Sequence, residues 1–220
     1  MPALTPFSDA TLTPAVRGVL HRPAAPNGDA LVLTHGAGSN CHTPLLVAMA
    51  AAFAHSGYIV LRCDLPFRQD RPKSPPFPGN VDRDRAGLSN AVAALRKQVA
   101  GRIFLGGHSY GGRQSSILCA AHPELVAGLL LLSYPLHPPR KPEQLRIQHL
   151  PDLRNPSLFV HGTRDPFGSV EELEQALQLI PAHKELLAVD GAGHDLGFTG
   201  KNPAPGICER VLAAWVAMFP

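Results

Sequence analysis

The chain has no Cys-x-x-Cys pair. Its four cysteines, Cys41, Cys63, Cys119 and Cys208, stand far apart in 220 residues, which argues against both a disulfide framework and a thiolate zinc site. Reduced, partly buried thiols and a cytoplasmic location are the expectation. Charge of one sign is also in short supply, the formal net charge being only +3. The basic residues are scattered, and a modest group at Arg68, Arg71 and Lys73 reads as a solvated loop, so no nucleic-acid partner is expected. Long apolar runs are missing. Even the leucine run Leu129 to Leu132 falls far short of the roughly 20 residues a membrane helix needs, so no membrane partner is expected. Met1 to Pro14 has neither a basic start nor an apolar centre, and it reads as a loosely attached lead-in, not a signal peptide. No internal repeat or linker divides residues 1–220, and the 45% apolar content is enough for a sizeable core. A single domain is expected.

What is present is an alternation of short apolar runs and helical spacing. Val16 to His21 reads as an edge strand. Ala30 to Thr34, Tyr58 to Cys63, Arg102 to Gly106, Val126 to Leu132, Ser157 to His161 and Glu185 to Val189 read as strands, the most apolar of them buried on both faces. Between them, Thr43 to Ser56, Val81 to Ala100, Arg113 to Ala121 and Val170 to Leu179 carry helical spacing, and Ile207 to Phe219 closes the chain as an amphipathic helix. Gly57 suits the C-terminal cap of the first helix. Two proline-rich connections interrupt the alternation: Asp64 to Asn80, read as a loop, and His137 to Asn155, with a short helix expected around Glu143 to His149. Strands alternating with helices imply an α/β fold, a mostly parallel twisted sheet covered on both faces.

The most informative stretch is Gly107-His108-Ser109-Tyr110-Gly111, set between an apolar strand and a helix. In a G-x-S-x-G turn the serine occupies a strained strand-to-helix corner, and the flanking glycines let neighbouring backbone pack close so that the hydroxyl projects. A serine hydroxyl needs a base to become a nucleophile, and the base needs an orienting acid. On a doubly wound sheet these groups come from loops at the C-terminal ends of strands. Asp165 follows one such strand in Gly162-Thr163-Arg164-Asp165, and His194 follows the next in Asp190-Gly191-Ala192-Gly193-His194. Asp190 is a rival acid, ranked second because it lies only four residues before His194. Two backbone N–H groups are expected to receive the oxyanion: that of Tyr110, directly after the serine, and that of Ala37 in the turn His35-Gly36-Ala37-Gly38.

These four segments resemble the α/β-hydrolase superfamily, whose chain order is serine, acid, histidine. More narrowly, Asp64-Leu65-Pro66-Phe67-Arg68 before a proline-rich stretch, with Arg113 directly after the elbow, is similar to a small, lidless bacterial family. That family is related to dienelactone-hydrolase-like proteins and to subunit three of the animal nonspecific lethal complex. The resemblance covers about residues 15 to 218 and implies an α/β-hydrolase fold without a large lid. It also implies a serine hydrolase of esterase or thioesterase type, with Ser109 as nucleophile, His194 as base and Asp165 as orienting acid. The elbow carries serine where dienelactone hydrolases use cysteine, so their substrate class is not carried over. Small or extended acyl substrates suit a site walled only by the two proline-rich connections. Arg68 and Arg113 are candidate contacts for a carboxylate or phosphate on the substrate. No metal or organic cofactor is expected, and a monomer or homodimer is. The competing reading is a binding or scaffold protein that keeps this fold without turnover.

Overall fold

The computed structural model describes residues 2–199 and 206–220. Eight strands form one sheet in the order β1-β2-β4-β3-β5-β6-β7-β8. They are β1 (Ala3–Asp9), β2 (Val16–Arg22), β3 (Ala30–Thr34), β4 (Ile59–Cys63), β5 (Ile103–His108), β6 (Leu129–Leu132), β7 (Ser157–Gly162) and β8 (Lys184–Val189). Only β1 with β2 and β2 with β4 pair antiparallel; the other pairings are parallel. Strands β3 to β7 are buried along nearly their whole lengths, as strands covered on both faces must be.

The period-two alternation of side chains divides the core into two layers. Ala30, Val32, Leu61, Leu105 and Leu131 face one way, toward α3 (Val81–Arg96), α4 (Tyr110–Ala121) and α5 (Val170–Leu177). Leu31, Leu33, Val60, Phe104 and Leu130 face the other way, toward α1 (Pro44–His55) and α6 (Ile207–Met218). The second layer is pinned by Trp215, which is fully buried. Its ring lies edge-on to Phe53 at 5.5 Å and to Phe104 at 4.9 Å between centroids. Gly57, at φ +96°, ends α1 in the left-handed conformation where a side chain would be strained.

The ends and connections depart from the sequence reading. The supposed lead-in contains β1, paired with β2 over its full length from Ala3 opposite Arg22 to Asp9 opposite Val16. Its Thr, Ser and Pro content is no obstacle, because an edge strand is held by main-chain bonds and tolerates proline; Phe7 adds an anchor against the core. Within Asp64 to Asn80 the chain makes a short helix, α2 (Pro66–Asp70). Residues 143–149 are not helical, and the only helical turn in that connection is a 3-10 turn at Leu150–Asp152. There the chain is instead tied down by Arg146 N–H donating to Leu136 O at 2.8 Å and Tyr134 Oη donating to Arg146 O at 2.6 Å. Among the described residues no large lid covers the C-terminal edge of the sheet, and no helix is long and apolar enough to cross a membrane.

Replacing Trp215 with alanine is expected to lower the unfolding free energy by about 3–5 kcal/mol, the usual loss for a fully buried large aromatic. Urea denaturation measures it, with a lower midpoint and an unchanged slope as the expected result.

Candidate active site

Ser109 occupies the corner between β5 and α4 with φ 52° and ψ −116°, a conformation that is rare for a residue with a side chain. The surroundings over-determine it. Its N–H donates to Leu132 O at 2.8 Å, and its carbonyl accepts from Arg113 N–H at 2.9 Å. The glycines on either side are required by space. A Cβ on Gly107 would lie 2.6 Å from Thr34 O, and one on Gly111 would lie 2.6 Å from His35 O.

Strands β7 and β8 deliver the other two groups. His194 Nε2 lies 2.8 Å from Ser109 Oγ, whose hydroxyl donates to it. His194 Nδ1 donates to Asp165 Oδ2, also at 2.8 Å. The Asp165 carboxylate is fully enclosed, and its second oxygen accepts from Phe167 N–H at 2.9 Å. That fixes its orientation before any histidine is considered. Beyond it, Ser169 and Glu172 form a reciprocal cap on α5 that holds the chain leaving the acid. The rival acid Asp190 is exposed and touches Thr163 Oγ1 at 3.4 Å, not His194. So the structure brings together Ser109, His194 and Asp165, and leaves Asp190 outside.

The candidate oxyanion donors sit beside the serine. Ala37, Ser109 and Tyr110 line one cavity of about 420 Å³. Tyr110 opens α4, where first-turn N–H groups have no intrahelical partner. Among the described residues the Ala37 N–H has no main-chain acceptor. The Ala37 turn is braced on both sides. His35, buried and kept neutral by that burial, accepts from Leu65 N–H at 3.1 Å. Arg68 Nη2 donates to Ala37 O at 2.8 Å.

That last contact corrects the reading of Arg68 as a substrate ligand. Arg68 is buried, and it also donates to Pro72 O at 2.5 Å and Arg71 O at 3.3 Å. Its fork is occupied by main-chain carbonyls and does not line the cavity beside Ser109. Arg113 does line that cavity, along with Phe77, Phe167 and a second arginine, Arg146.

Several supporting residues escaped the sequence reading. Phe167 lies against the His194 imidazole, centroids 4.2 Å apart. His108 donates from Nε2 to His194 O at 2.7 Å, and burial pushes its pKa down to about 4, so it serves as a neutral brace. The Tyr110 hydroxyl donates to buried Asp84 at 2.8 Å, and Asp84 also accepts from Phe67 N–H, tying α2 and α3 to the elbow. His108 lay inside the recognised motif and could have been flagged. The others depend on contacts between segments remote in sequence.

Comparison with known proteins agrees with this architecture. A family model described as an alpha/beta hydrolase domain matches residues 27–205. An alpha-beta serine hydrolase homologue from Coxiella burnetii is similar in fold, with TM-score 0.77, 17% identity and 96% of each chain covered. Dienelactone hydrolase from Anabaena variabilis matches with TM-score 0.74 and 21% identity over 99% of this chain and 97% of its own. XC6422 from Xanthomonas campestris, described as a serine hydrolase without lid, matches with TM-score 0.74 and 17% identity over 97% and 94%.

Three histidines, His21 buried and His108 and His149 half-buried, make stability depend on pH. Burial holds His21, His108 and His149 each at a pKa of about 4, whereas an unfolded chain protonates histidine near 6.5. Below about pH 6.5 the unfolded state therefore binds more protons than the native one, and stability declines as pH falls toward 4. The urea midpoint is expected to be lower at pH 5.5 than at pH 7, with protons taken up on unfolding. An unchanged or higher midpoint at pH 5.5 would contradict neutral burial of these rings.

Proposed function

The chain belongs to the α/β hydrolase family, and from that premise we propose that it is a serine hydrolase that cleaves small ester-like substrates, esters or thioesters, through an acyl-enzyme on Ser109. The observation that carries this reading is the continuous hydrogen-bonded chain from Ser109 Oγ through His194 to the enclosed carboxylate of Asp165.

In this reading His194 Nε2 takes the Ser109 proton as Oγ attacks the substrate carbonyl. Asp165 keeps the proton on Nδ1, so that Nε2 is the basic nitrogen, and it stabilises the imidazolium that forms. The carbonyl oxygen, now an oxyanion, accepts from the N–H groups of Ala37 and Tyr110. A donor of this type lowers the barrier by about 2.7–4 kcal/mol. The imidazolium returns its proton to the departing alcohol or thiol, which leaves the acyl group on Oγ. Water then attacks the acyl carbonyl and gives a proton to His194, which passes it to Oγ as the acyl–Oγ bond breaks, releasing the acid and restoring the serine. The helix that starts behind Ser109 adds its N-terminal dipole to the stabilisation of the oxyanion. The apolar cavity lining, with Pro76, Phe77 and Phe167, suits the carbon skeleton of a small acyl substrate.

A fluorophosphonate probe is expected to label folded protein once, at Ser109, and Ser109→Ala to abolish the labelling. With p-nitrophenyl acetate, Ser109→Ala is expected to lose at least about 10⁴-fold in kcat, and Asp165→Asn to lose about 10⁴-fold. Full activity in Ser109→Ala would overturn the reading.

A further inference from the structure

The cavity beside Ser109 is lined by apolar side chains apart from Ser109, Tyr110 and two arginines, and among the described residues no carboxylate lines it. Arg113 comes from α4, one helical turn after Ser109, to whose carbonyl its own N–H donates. Arg146 comes from the connection between β6 and β7, where its N–H donates to Leu136 O and its carbonyl accepts from the Tyr134 hydroxyl. Three surface arginines have acidic partners: Arg83 pairs with Asp70, Arg85 with Asp82 and Arg102 with Asp29. Among the described residues neither Arg113 nor Arg146 forms an ion pair. The Arg113 Nε is buried without a hydrogen-bond partner. Arg146 gives one N–H to Pro135 O at 3.3 Å.

Two like charges converging on a half-enclosed cavity repel each other and are poorly hydrated there. The charge of Arg113 is felt by its neighbours: it adds to burial in lowering the pKa of Arg146 and in holding that of His149 at about 4. An anion between the two arginines would relieve both the repulsion and the unmet hydrogen bond, and guanidinium forks match carboxylate and phosphate oxygens in pairs. The place of Arg113 relative to Ser109 sets the scale. Both residues line the same small cavity, so the anion would sit only a few bonds from the carbonyl under attack.

We propose that Arg113 and Arg146 form an anion subsite, and that the preferred substrate is a short ester with an apolar body and a terminal carboxylate or phosphate. This rests on the hydrolase reading of Ser109 and narrows it to a substrate class. Phe77 and Phe167 enclose the body, the two guanidinium groups take the charged end, and the ester carbonyl lies at Ser109.

The test compares p-nitrophenyl hemiglutarate with p-nitrophenyl valerate, matched in chain length, after subtraction of spontaneous hydrolysis. The native protein is expected to favour the hemiester by about tenfold or more in kcat/KM. Arg113→Gln and Arg146→Gln are each expected to cut that ratio by about tenfold, chiefly through KM, and Arg113→Lys to retain part of it. Lys141→Gln, exposed on the same connection, is expected to leave the ratio unchanged. Arg146→Gln lies in a loop and carries the comparison if the helix variant does not fold. A ratio near one in the native protein, or a ratio that survives both substitutions together, would overturn the subsite.

Binding without turnover provides the second arm. Glutarate or inorganic phosphate is expected to raise the Tm of the Ser109→Ala protein, and the added Arg113→Gln and Arg146→Gln changes to remove the rise. A response to glutarate alone assigns a carboxylate, and a response to phosphate alone assigns a phosphate ester. No response to either would overturn the subsite. Anion binding that persists in a protein hydrolysing neither ester would defeat the hydrolase reading and leave the subsite standing.

Discussion

Between β5 and α4 the polypeptide turns so sharply that only bare backbone fits beneath it. Thr34 and His35 present their carbonyl oxygens to Gly107 and Gly111 at distances that no Cβ could share, and this contact locks the serine corner onto the end of β3. Everything else at the C-terminal edge is placed relative to that contact. The same end of β3 runs on into the Ala37 turn, so the hydroxyl and one prospective oxyanion donor are set by a single backbone encounter. The strained φ of Ser109 is held by bonds on both sides, from its own N–H to Leu132 and into its carbonyl from Arg113. Strain of this kind persists only where packing gives the chain no way to relax.

The immediate surroundings of the site are electrically quiet. His35 and His108 are pressed into neutrality by burial and used as hydrogen-bonding struts. Asp165 accepts from Phe167 N–H and His194 Nδ1, and these bonds let a carboxylate stay enclosed beside an imidazole. The unbalanced charge lies one step farther out, on the two arginines of the cavity wall.

The sheet was legible in the sequence because its strands are short, apolar and punctuated by glycine, as buried parallel strands must be. The loops bearing Ser109, Asp165 and His194 were legible for the same reason, each lying just past such a strand. β1 was not, because an edge strand that buries almost nothing leaves no hydrophobic pattern to read. Arg68 looked like an available cation in sequence, yet its fork is taken by carbonyls that belong to no side-chain pattern. Arg146 went unnoticed within a basic, proline-rich stretch. Only the folding of that stretch around Tyr134 turns it toward the serine.

The Arg68 clamp also determines which parts of the molecule can change independently. It ties Ala37 to the first part of the proline-rich strap, at Arg71 and Pro72. The cavity wall is made by the later part, at Pro76, Phe77 and Pro78. Insertions or replacements after Pro72 would reshape the substrate's surroundings while the chemical apparatus stayed seated. The fold therefore keeps tailoring and turnover in separate mechanical compartments, and relatives could diverge in diet without relearning how to cut.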